Sequence, residues 1–245
     1  MREGGKMSLA CAAAGFLIRS NSMSTAAMAI CWKGWFTVVR SIWGRAEKEM
    51  LSKPISENMK DYPENYVSVD NHRGMQIATE YLYSLGHRSI LYFGARSDSK
   101  THQLRLDGYL STCEKLSIEP HVLRSSYTRS SREVGYAMGG EYFSRPHQET
   151  AILCAADMLA IGVMQAAFEA GIRIPKDISL MGFDNISFSA LPQIDLTTVN
   201  QPFQQMAIAS VDMLLDRIKN PRLKHAKLIL PPSLIVRKSC RALGK

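Results

Sequence analysis

Three aspartates stand at or directly after predicted β-strands, where side chains commonly do chemistry. They are Asp70, Asp157 and Asp184. A carboxylate in such a position can accept hydrogen bonds from ligand hydroxyl groups, or it can form half of an acid–base pair for catalysis. An aspartate that caps the following helix is at least as common at a strand end, so these residues alone do not separate binding from catalysis.

The sequence contains none of the common catalytic or phosphate-binding motifs. G-x-S-x-G, G-x-x-x-x-G-K-[ST], G-x-G-x-x-G and H-E-x-x-H are all missing. The six histidines show no metal-ligand spacing, and the five cysteines are scattered, odd in number and without a C-x-x-C pair. We therefore expect a protein that is not an enzyme, holds no metal or cofactor, and works in the reducing cytoplasm.

Alternating strands and helices from about residue 45 onward are the elements that would position the aspartates. Strands are predicted at residues 66–70, 89–94, 121–124, 150–154 and 177–184, with a closing strand or pair around 227–236. Helical periodicity occupies the intervals between them, and a last helix spans residues 203–218. Strands separated by helices of this length predict an α/β fold with a mostly parallel sheet, which binds ligands at the carboxyl ends of its strands.

Two of the helices carry recognisable start signals. Ser130-x-x-Glu133 is a capping-box pattern that would open a helix through about Phe143. Asp157 can cap a helix that ends at Gly171.

The net charge of +8 is concentrated in the first 45 residues. That stretch holds six Lys/Arg and one Asp/Glu, whereas the remaining 200 residues hold 24 and 21. The main body is therefore nearly balanced and has no basic stripe of the kind that marks a nucleic-acid footprint.

Residues 1–45 differ in character from the rest, since they hold all three tryptophans and no proline. Arg2 and Lys6, the apolar run 9–18 and Ala27-Met28-Ala29 follow the order of a secretory signal. Against export, Arg19 ends the apolar run at once, well before the Ala-x-Ala. We interpret this stretch as an atypical leader unrelated to the function of the main domain.

The body of the chain, from about Tyr66 to Cys240, resembles the lac-repressor/gal-repressor family of transcription regulators. The matching pieces are Val69-Asp70-Asn71-x-x-Gly74, Leu85-Gly86-His87-Arg88-Ser89-Ile90, Arg105-x-x-Gly108-Tyr109, Ala155-Ala156-Asp157-Met158-Leu159-Ala160, Gly182-Phe183-Asp184-Asn185, Leu196-Thr197-Thr198-Val199-x-Gln201-Pro202 and Leu234-Ile235-Val236-Arg237-Lys238-Ser239. No one piece is specific, but their order and spacing over some 170 residues are hard to produce by chance.

The resemblance implies a type I periplasmic-binding-protein-like fold of two α/β subdomains with a ligand between them. It predicts that residues 94–199 and 226–240 form a complete C-terminal effector-binding subdomain. Residues 46–93 and 200–225 would be the remnant of a truncated N-terminal subdomain. The helix-turn-helix headpiece of the family has no counterpart in this sequence.

Site residues carry over from the family one at a time. Arg105 matches an arginine that contacts the effector, and its forked donors suit adjacent hydroxyls or a carboxylate. Asp184 matches a ligand-accepting carboxylate at a strand end. Asp70 and Gln201 match residues near the hinges and the ligand, while Tyr127 aligns loosely with an aromatic residue that stacks on the ligand.

One departure from the family concerns Asp157, which we also include among the candidate ligand-binding residues. The family often has a polar residue, commonly asparagine, directly before this aspartate, and this chain has Ala156. One hydrogen bond to the ligand would then be missing, so an ordinary hexose cannot be assumed as the effector.

The leading hypothesis is a cytoplasmic module that binds a sugar-like effector and forms a homodimer within a regulator. Operator DNA would be bound only through a headpiece, and no membrane is involved. The alternative is an exported sugar-binding protein of a transport system, which shares the fold. With half a subdomain missing, we also expect unpartnered apolar faces on the helices at 73–85 and 203–218, and low stability.

Overall fold

The computed structural model describes residues 66–95, 99–125, 130–220, 222–223 and 226–244. The predictions for the leader at 1–45, for residues 46–65 and for Tyr127 lie outside the described residues.

A six-stranded sheet in the order β3-β2-β4-β5-β6-β8 forms the centre of the described chain. The first five strands are parallel, and β8 pairs with β6 in the antiparallel sense. The strands are β2 (Ile90–Ala95), β3 (His121–Ser125), β4 (Ala151–Cys154), β5 (Ser179–Asp184), β6 (Thr197–Asn200) and β8 (Ser233–Ile235). This confirms the predicted α/β fold with a mostly parallel sheet.

A second, two-stranded parallel sheet pairs β1 (Tyr66–Val69) with β7 (Lys227–Leu230). Five α-helices lie in the described residues: α1 (Asn71–Ser84), α2 (Lys100–Leu116), α3 (Arg132–Phe143), α4 (Asp157–Glu169) and α5 (Phe203–Lys219), with a 3-10 turn at Ser187–Ala190. The chain passes between the two sheets directly after β1, after β6 and after β7.

The sheet pairing differs from the expected subdomain boundaries near residue 93 and near residue 226. β2 and α1, which the boundary at residue 93 assigned to the N-terminal remnant, lie with the six-stranded sheet, because β2 pairs with both β3 and β4. β7, assigned to the C-terminal subdomain, pairs with β1 instead. The division into two subdomains stays a prediction, with the crossing points moved to residues 70, 201 and 231.

The two helices expected to lack partners behave differently. The expectation is wrong for α1, because Met75, Ala78 and Leu82 are fully buried against the main core. It agrees with α5, where Ser210 is the one described residue that is buried and Ile208 and Leu215 are exposed.

The helix caps also differ from the sequence interpretation. Ser131 rather than Ser130 caps α3, because its side chain accepts a hydrogen bond from the Val134 amide. α4 begins after Ala156, which has no capping side chain, and Asp157 is its first residue. The Asp157 carboxylate points instead to β6 and the 3-10 turn, as shown below.

A close crossing of α3 over α4 depends on two glycines. A Cβ on Gly162 would meet the backbone of Arg132, and one on Gly135 would meet the backbone of Leu159. Each glycine therefore lets one helix approach the main chain of the other.

We expect Gly162→Ala to lower the free energy of unfolding by about 2 kcal/mol, because the obstacle is backbone that must move. Gly140→Ala is the matched control on α3: nothing lies within 4 Å of its added methyl group. That variant should be neutral or more stable by up to about 1 kcal/mol. Urea unfolding of both variants measures the difference, and equal effects would contradict the close crossing.

His87 ties the start of the sheet to the C-terminal segment. Its Nδ1 lies 2.8 Å from the Thr150 hydroxyl oxygen and its Nε2 lies 3.1 Å from the Arg241 carbonyl oxygen. Burial is the main reason that the pKa of His87 is lowered from its ordinary value of 6.5, and the charges of Arg241 and Arg88 act in the same direction.

We expect His87 to make the protein less stable in mild acid. The unfolded chain takes up a proton on His87 near pH 6.5, whereas the folded chain resists it, so stability is lost as the pH falls through 6.5. His87→Gln should flatten this part of the pH dependence, as measured by thermal unfolding between pH 8 and pH 5. An unchanged slope of melting temperature against pH in the variant would show that other groups control the loss of stability in mild acid.

Candidate functional site

Three of the predicted site residues meet at the carboxyl edge of the large sheet. Arg105 comes from α2, Asp184 ends β5, and Gln201 follows β6. The Arg105 guanidinium nitrogen Nη1 lies 3.1 Å from Asp184 Oδ1. Gln201 Nε2 donates a hydrogen bond of 2.6 Å to the same carboxylate oxygen. The elements converge here because β5 and β6 are adjacent parallel strands, so their carboxyl ends share one edge.

Arg105 is fixed on several sides. Its side chain is 4% exposed. Nε donates to Asn71 Oδ1 at 2.8 Å, and Nη1 donates to the Ala155 carbonyl oxygen at 2.6 Å. The guanidinium carbon lies 3.9 Å from the centroid of the Phe183 ring. A charge held this firmly presents its remaining donors in one direction, which suits recognition of a small polar molecule.

The backbone at Asp184 adopts a conformation that L-residues rarely take. Its φ is +122°, and Asn185 follows with a φ of +55°. Such backbone costs of order 1–3 kcal/mol per residue and is concentrated at functional sites. The side chains of Asn200 and Arg237 hold Asn185 through hydrogen bonds of 2.9 and 2.8 Å. Burial raises the pKa of Asp184, although Arg105 and Gln201 oppose that shift.

Asp157 is buried behind this edge and is occupied by protein donors. Its carboxylate accepts hydrogen bonds from the Ile186 amide at 3.0 Å and from the Ser189 and Thr198 hydroxyls, both at 2.6 Å. Burial raises its pKa, and the nearby Asp184 carboxylate adds to the effect. This arrangement favours a positioning role for Asp157, which ties the loop after Asp184 to β6, over the direct ligand contact expected from the sequence.

Asp70 lies beside the cluster rather than within it. Its side chain caps α1 by accepting a hydrogen bond of 2.9 Å from the Arg73 amide. Its own amide donates to the Leu230 carbonyl at the end of β7, so Asp70 marks a crossing between the two sheets. The next residue, Asn71, makes the contact to Arg105.

Sequence reasoning missed Asn71 and Phe183 as parts of the site. Both stand inside motifs that the resemblance quoted, next to Asp70 and Asp184 respectively, but nothing in the sequence indicates that they hold Arg105. The structure also shows that Gln201 Oε1 is buried without a hydrogen-bond partner among the described residues. A buried acceptor without a partner is costly, and it marks a position where a ligand donor would be favourable.

The groups at this edge can form hydrogen bonds to a small polar molecule. The edge offers a forked cation, a carboxylate and an amide within hydrogen-bond distance of one another. No group of three potential metal-ligating side chains occurs among the described residues.

The comparisons with known proteins identify the family. Residues 79–240 match the family described as periplasmic binding protein-like domain. The chain belongs to this family. The resemblance to lac-repressor-type regulators is confirmed as well: the chain is 34% identical over 175 residues to the HTH-type transcriptional repressor PurR of Escherichia coli, covering 70% of this chain and 50% of that protein.

Solved structures of regulators share the fold. A LacI family transcriptional regulator from Enterococcus faecium with bound ribose matches with a TM-score of 0.72 and 27% identity, over 80% of this chain and 74% of that one. A dimeric lac repressor with a C-terminal deletion matches with a TM-score of 0.69 and 29% identity, over 76% and 67%. This periplasmic binding protein-like chain spans about half the length of the curated relatives it matches. Within its described part, no helix has the length and apolar character to cross a membrane.

We expect Asp157→Ala to lower the free energy of unfolding by about 3 kcal/mol or more, because three donors lose their acceptor in the interior. Asp177→Ala is the control: it removes a carboxylate paired with Arg173 on an exposed surface, and we expect it to lower the free energy of unfolding far less than Asp157→Ala does. Denaturant unfolding of the two variants gives the comparison. A loss of similar size in both would show that Asp157 does not position the loop.

Proposed function

We propose that this chain is the effector-binding and dimerisation module of a LacI-type transcription regulator, and that its effector is a small, sugar-like molecule. The observation that carries the proposal is the buried Arg105–Asp184–Gln201 cluster at the carboxyl edge of the sheet. The Gln201 oxygen without a partner supports it, as does the ribose bound to a structural relative.

The cluster suits a polyhydroxylated ligand. The Asp184 carboxylate accepts hydrogen bonds from hydroxyl groups, and Gln201 Oε1 accepts one more. The Arg105 guanidinium donates to ligand oxygens while Asn71 and Ala155 keep it in place. These polar contacts are directional, so they would fix the orientation of the ligand and distinguish it from analogues that lack the matching hydroxyls.

The position of the cluster supports a role in switching. The chain crosses between the two sheets beside Asp70 and beside Gln201, and both crossings adjoin the cluster through Asn71 and Gln201. A ligand that contacts residues at the crossings would bind one relative orientation of the two sheets more tightly than another. Ligand binding would then increase the fraction of molecules in the favoured orientation. In a whole regulator, that shift would change the affinity for operator DNA.

Dimerisation and operator binding complete the proposal. Several exposed apolar side chains lie on and near α4 and the 3-10 turn, among them Phe168, which is 84% exposed, Phe188 and Leu191. We expect a second copy of the chain to cover them, and a dimeric lac repressor shares the fold. We assign operator binding to a headpiece of the kind found in the relatives, and no enzymatic activity to this chain.

An exported sugar-binding protein of a transport system is the second candidate. The signal-like order of residues 1–29 and the description of the family favour it. The relatives and structures compared above are transcription regulators, which favours regulation in the cytoplasm.

Calorimetric titration with a panel of pentoses, hexoses and nucleosides tests the proposal. We expect at least one compound to bind, and Asp184→Asn to weaken that binding at least tenfold, since a charged hydrogen-bond partner is lost. Asp195→Asn is the matched control, because Asp195 pairs with the exposed Lys238 outside the cluster. Circular dichroism verifies that the variants fold. Failure of the whole panel, or equal weakening in both variants, would contradict the proposal.

A gel-shift assay tests the assignment of operator binding to a headpiece and not to this chain. We expect residues 1–245 to show no tight, sequence-selective binding to operator-like DNA, because residues 46–245 hold 24 Lys/Arg and 21 Asp/Glu and are nearly balanced in charge. Selective binding that survives competition with unrelated DNA would overturn this assignment.

A further inference from the structure

A second polar group lies at the same edge of the sheet, and the cluster described above does not use it. His102 stands in the first turn of α2, one turn before Arg105. Its Nδ1 is buried and has no hydrogen-bond partner within the described ranges. Its Nε2 lies 3.4 Å from the Ser130 hydroxyl oxygen, which is a long contact. Among the described residues, one imidazole nitrogen therefore has no partner, one helical turn from Arg105.

The charges that act on His102 are both positive. The pKa of His102 is lowered to about 4, chiefly by burial and in addition by the positive charges of Arg105 and Arg124. Arg124 is the fourth residue of β3, opposite Gly94 of β2 in the parallel register, so it stands at the carboxyl edge as well. No carboxylate of the described residues forms an ion pair with Arg124.

The residues His102, Arg105 and Arg124 form a corner of the carboxyl edge, and the acidic groups on the neighbouring elements do not neutralise its charge. Asp184 is paired with Arg105, and Asp157 is occupied by hydroxyl and amide donors. Glu133 at the start of α3 is exposed and pairs with Arg132. On α2 itself, Asp107 is exposed and forms no ion pair with another described residue, while Lys100 adds a positive charge at the helix start. Counting the described residues alone, this corner has an excess of positive charge and a hydrogen-bonding nitrogen without a partner.

We propose that the effector carries an acidic group, a carboxylate or a phosphate, which lies against His102 and Arg124. This rests on the proposed function and specifies the substrate class of the same site. The acidic group would accept a hydrogen bond from His102 Nδ1 and form an ion pair with Arg124. The amino end of α2 lies at the same corner and also favours negative charge. The sugar-like part of the effector would contact Arg105, Asp184 and Gln201.

Binding of an anion would change the protonation of His102. A negative charge beside the imidazole stabilises its protonated form and raises its pKa from the low value in the free protein. Proton uptake then accompanies binding, so the affinity for an anionic effector increases as the pH falls from 8 toward 5.5. A neutral sugar at the same site would give no such proton uptake on His102.

Calorimetric titration of the full chain with ribose, ribose 5-phosphate and ribonate tests the inference. We expect at least one of the two anionic probes to bind tenfold or more tightly than ribose. Arg124→Gln should weaken that probe about tenfold, the loss typical of one charge-assisted contact, and change ribose binding less than twofold. Arg145→Gln is the matched control at the other end of the sheet, and it should change the affinity for neither the anionic probe nor ribose.

An NMR titration of His102 gives a second readout that a merely structural role would not change. We expect its pKa to rise by at least one unit when the anionic probe is bound, with His102→Gln removing the pH dependence of binding. Ribose binding as tight as that of both acids, or an unchanged His102 pKa in the bound protein, would overturn the inference and leave the proposed function standing. Failure of all three probes also overturns it, and the wider panel of neutral compounds then decides the proposed function by itself.

Discussion

The buried ion pair between Arg105 and Asp184 is the interaction on which the rest of the site depends. Removing two charges from water is costly, and their attraction offsets that cost only when the remaining hydrogen-bonding groups are satisfied as well. Here Asn71, Ala155 and Gln201 supply those partners. The pair thereby joins α2, the end of β5 and two of the three crossings between the sheets, those after β1 and after β6, so its geometry cannot change without changing all of them.

Asp157 forms a second layer behind that pair. Its three donors hold the 3-10 turn and β6 together, and Gly182 is required opposite it, because a Cβ there would collide with the carboxylate. The backbone at Asp184 and Asn185 is held in the left-handed region between these anchors. Rigid support of this kind keeps a small set of polar groups in the orientation that a ligand needs.

The sequence predicted most elements of the sheet, since buried parallel strands such as Ala151–Cys154 are short apolar runs between helices. It did not predict β6, because three of the four residues of Thr197–Asn200 are polar and its threonines are buried through hydrogen bonds to Asp157 and Arg237. The helix cap was also missed, because the sequence alone does not decide between the adjacent serines 130 and 131. The pairing of β7 with β1 was missed because the two strands are remote in sequence. Arg105 and Asp184 were found through resemblance, but Asn71 and Phe183 became visible only when α1, α2 and β5 were brought together.

In the proposed function, the Arg105–Asp184–Gln201 cluster at the carboxyl edge of the sheet holds the effector. A crystal structure of the chain with the compound that raises its melting temperature most tests this claim directly. We expect ligand oxygens within about 3 Å of Arg105, Asp184 and Gln201 Oε1. Ligand density elsewhere, for example in the groove of about 540 Å³ between Phe168 and Pro192, with this edge left without ligand, would contradict it.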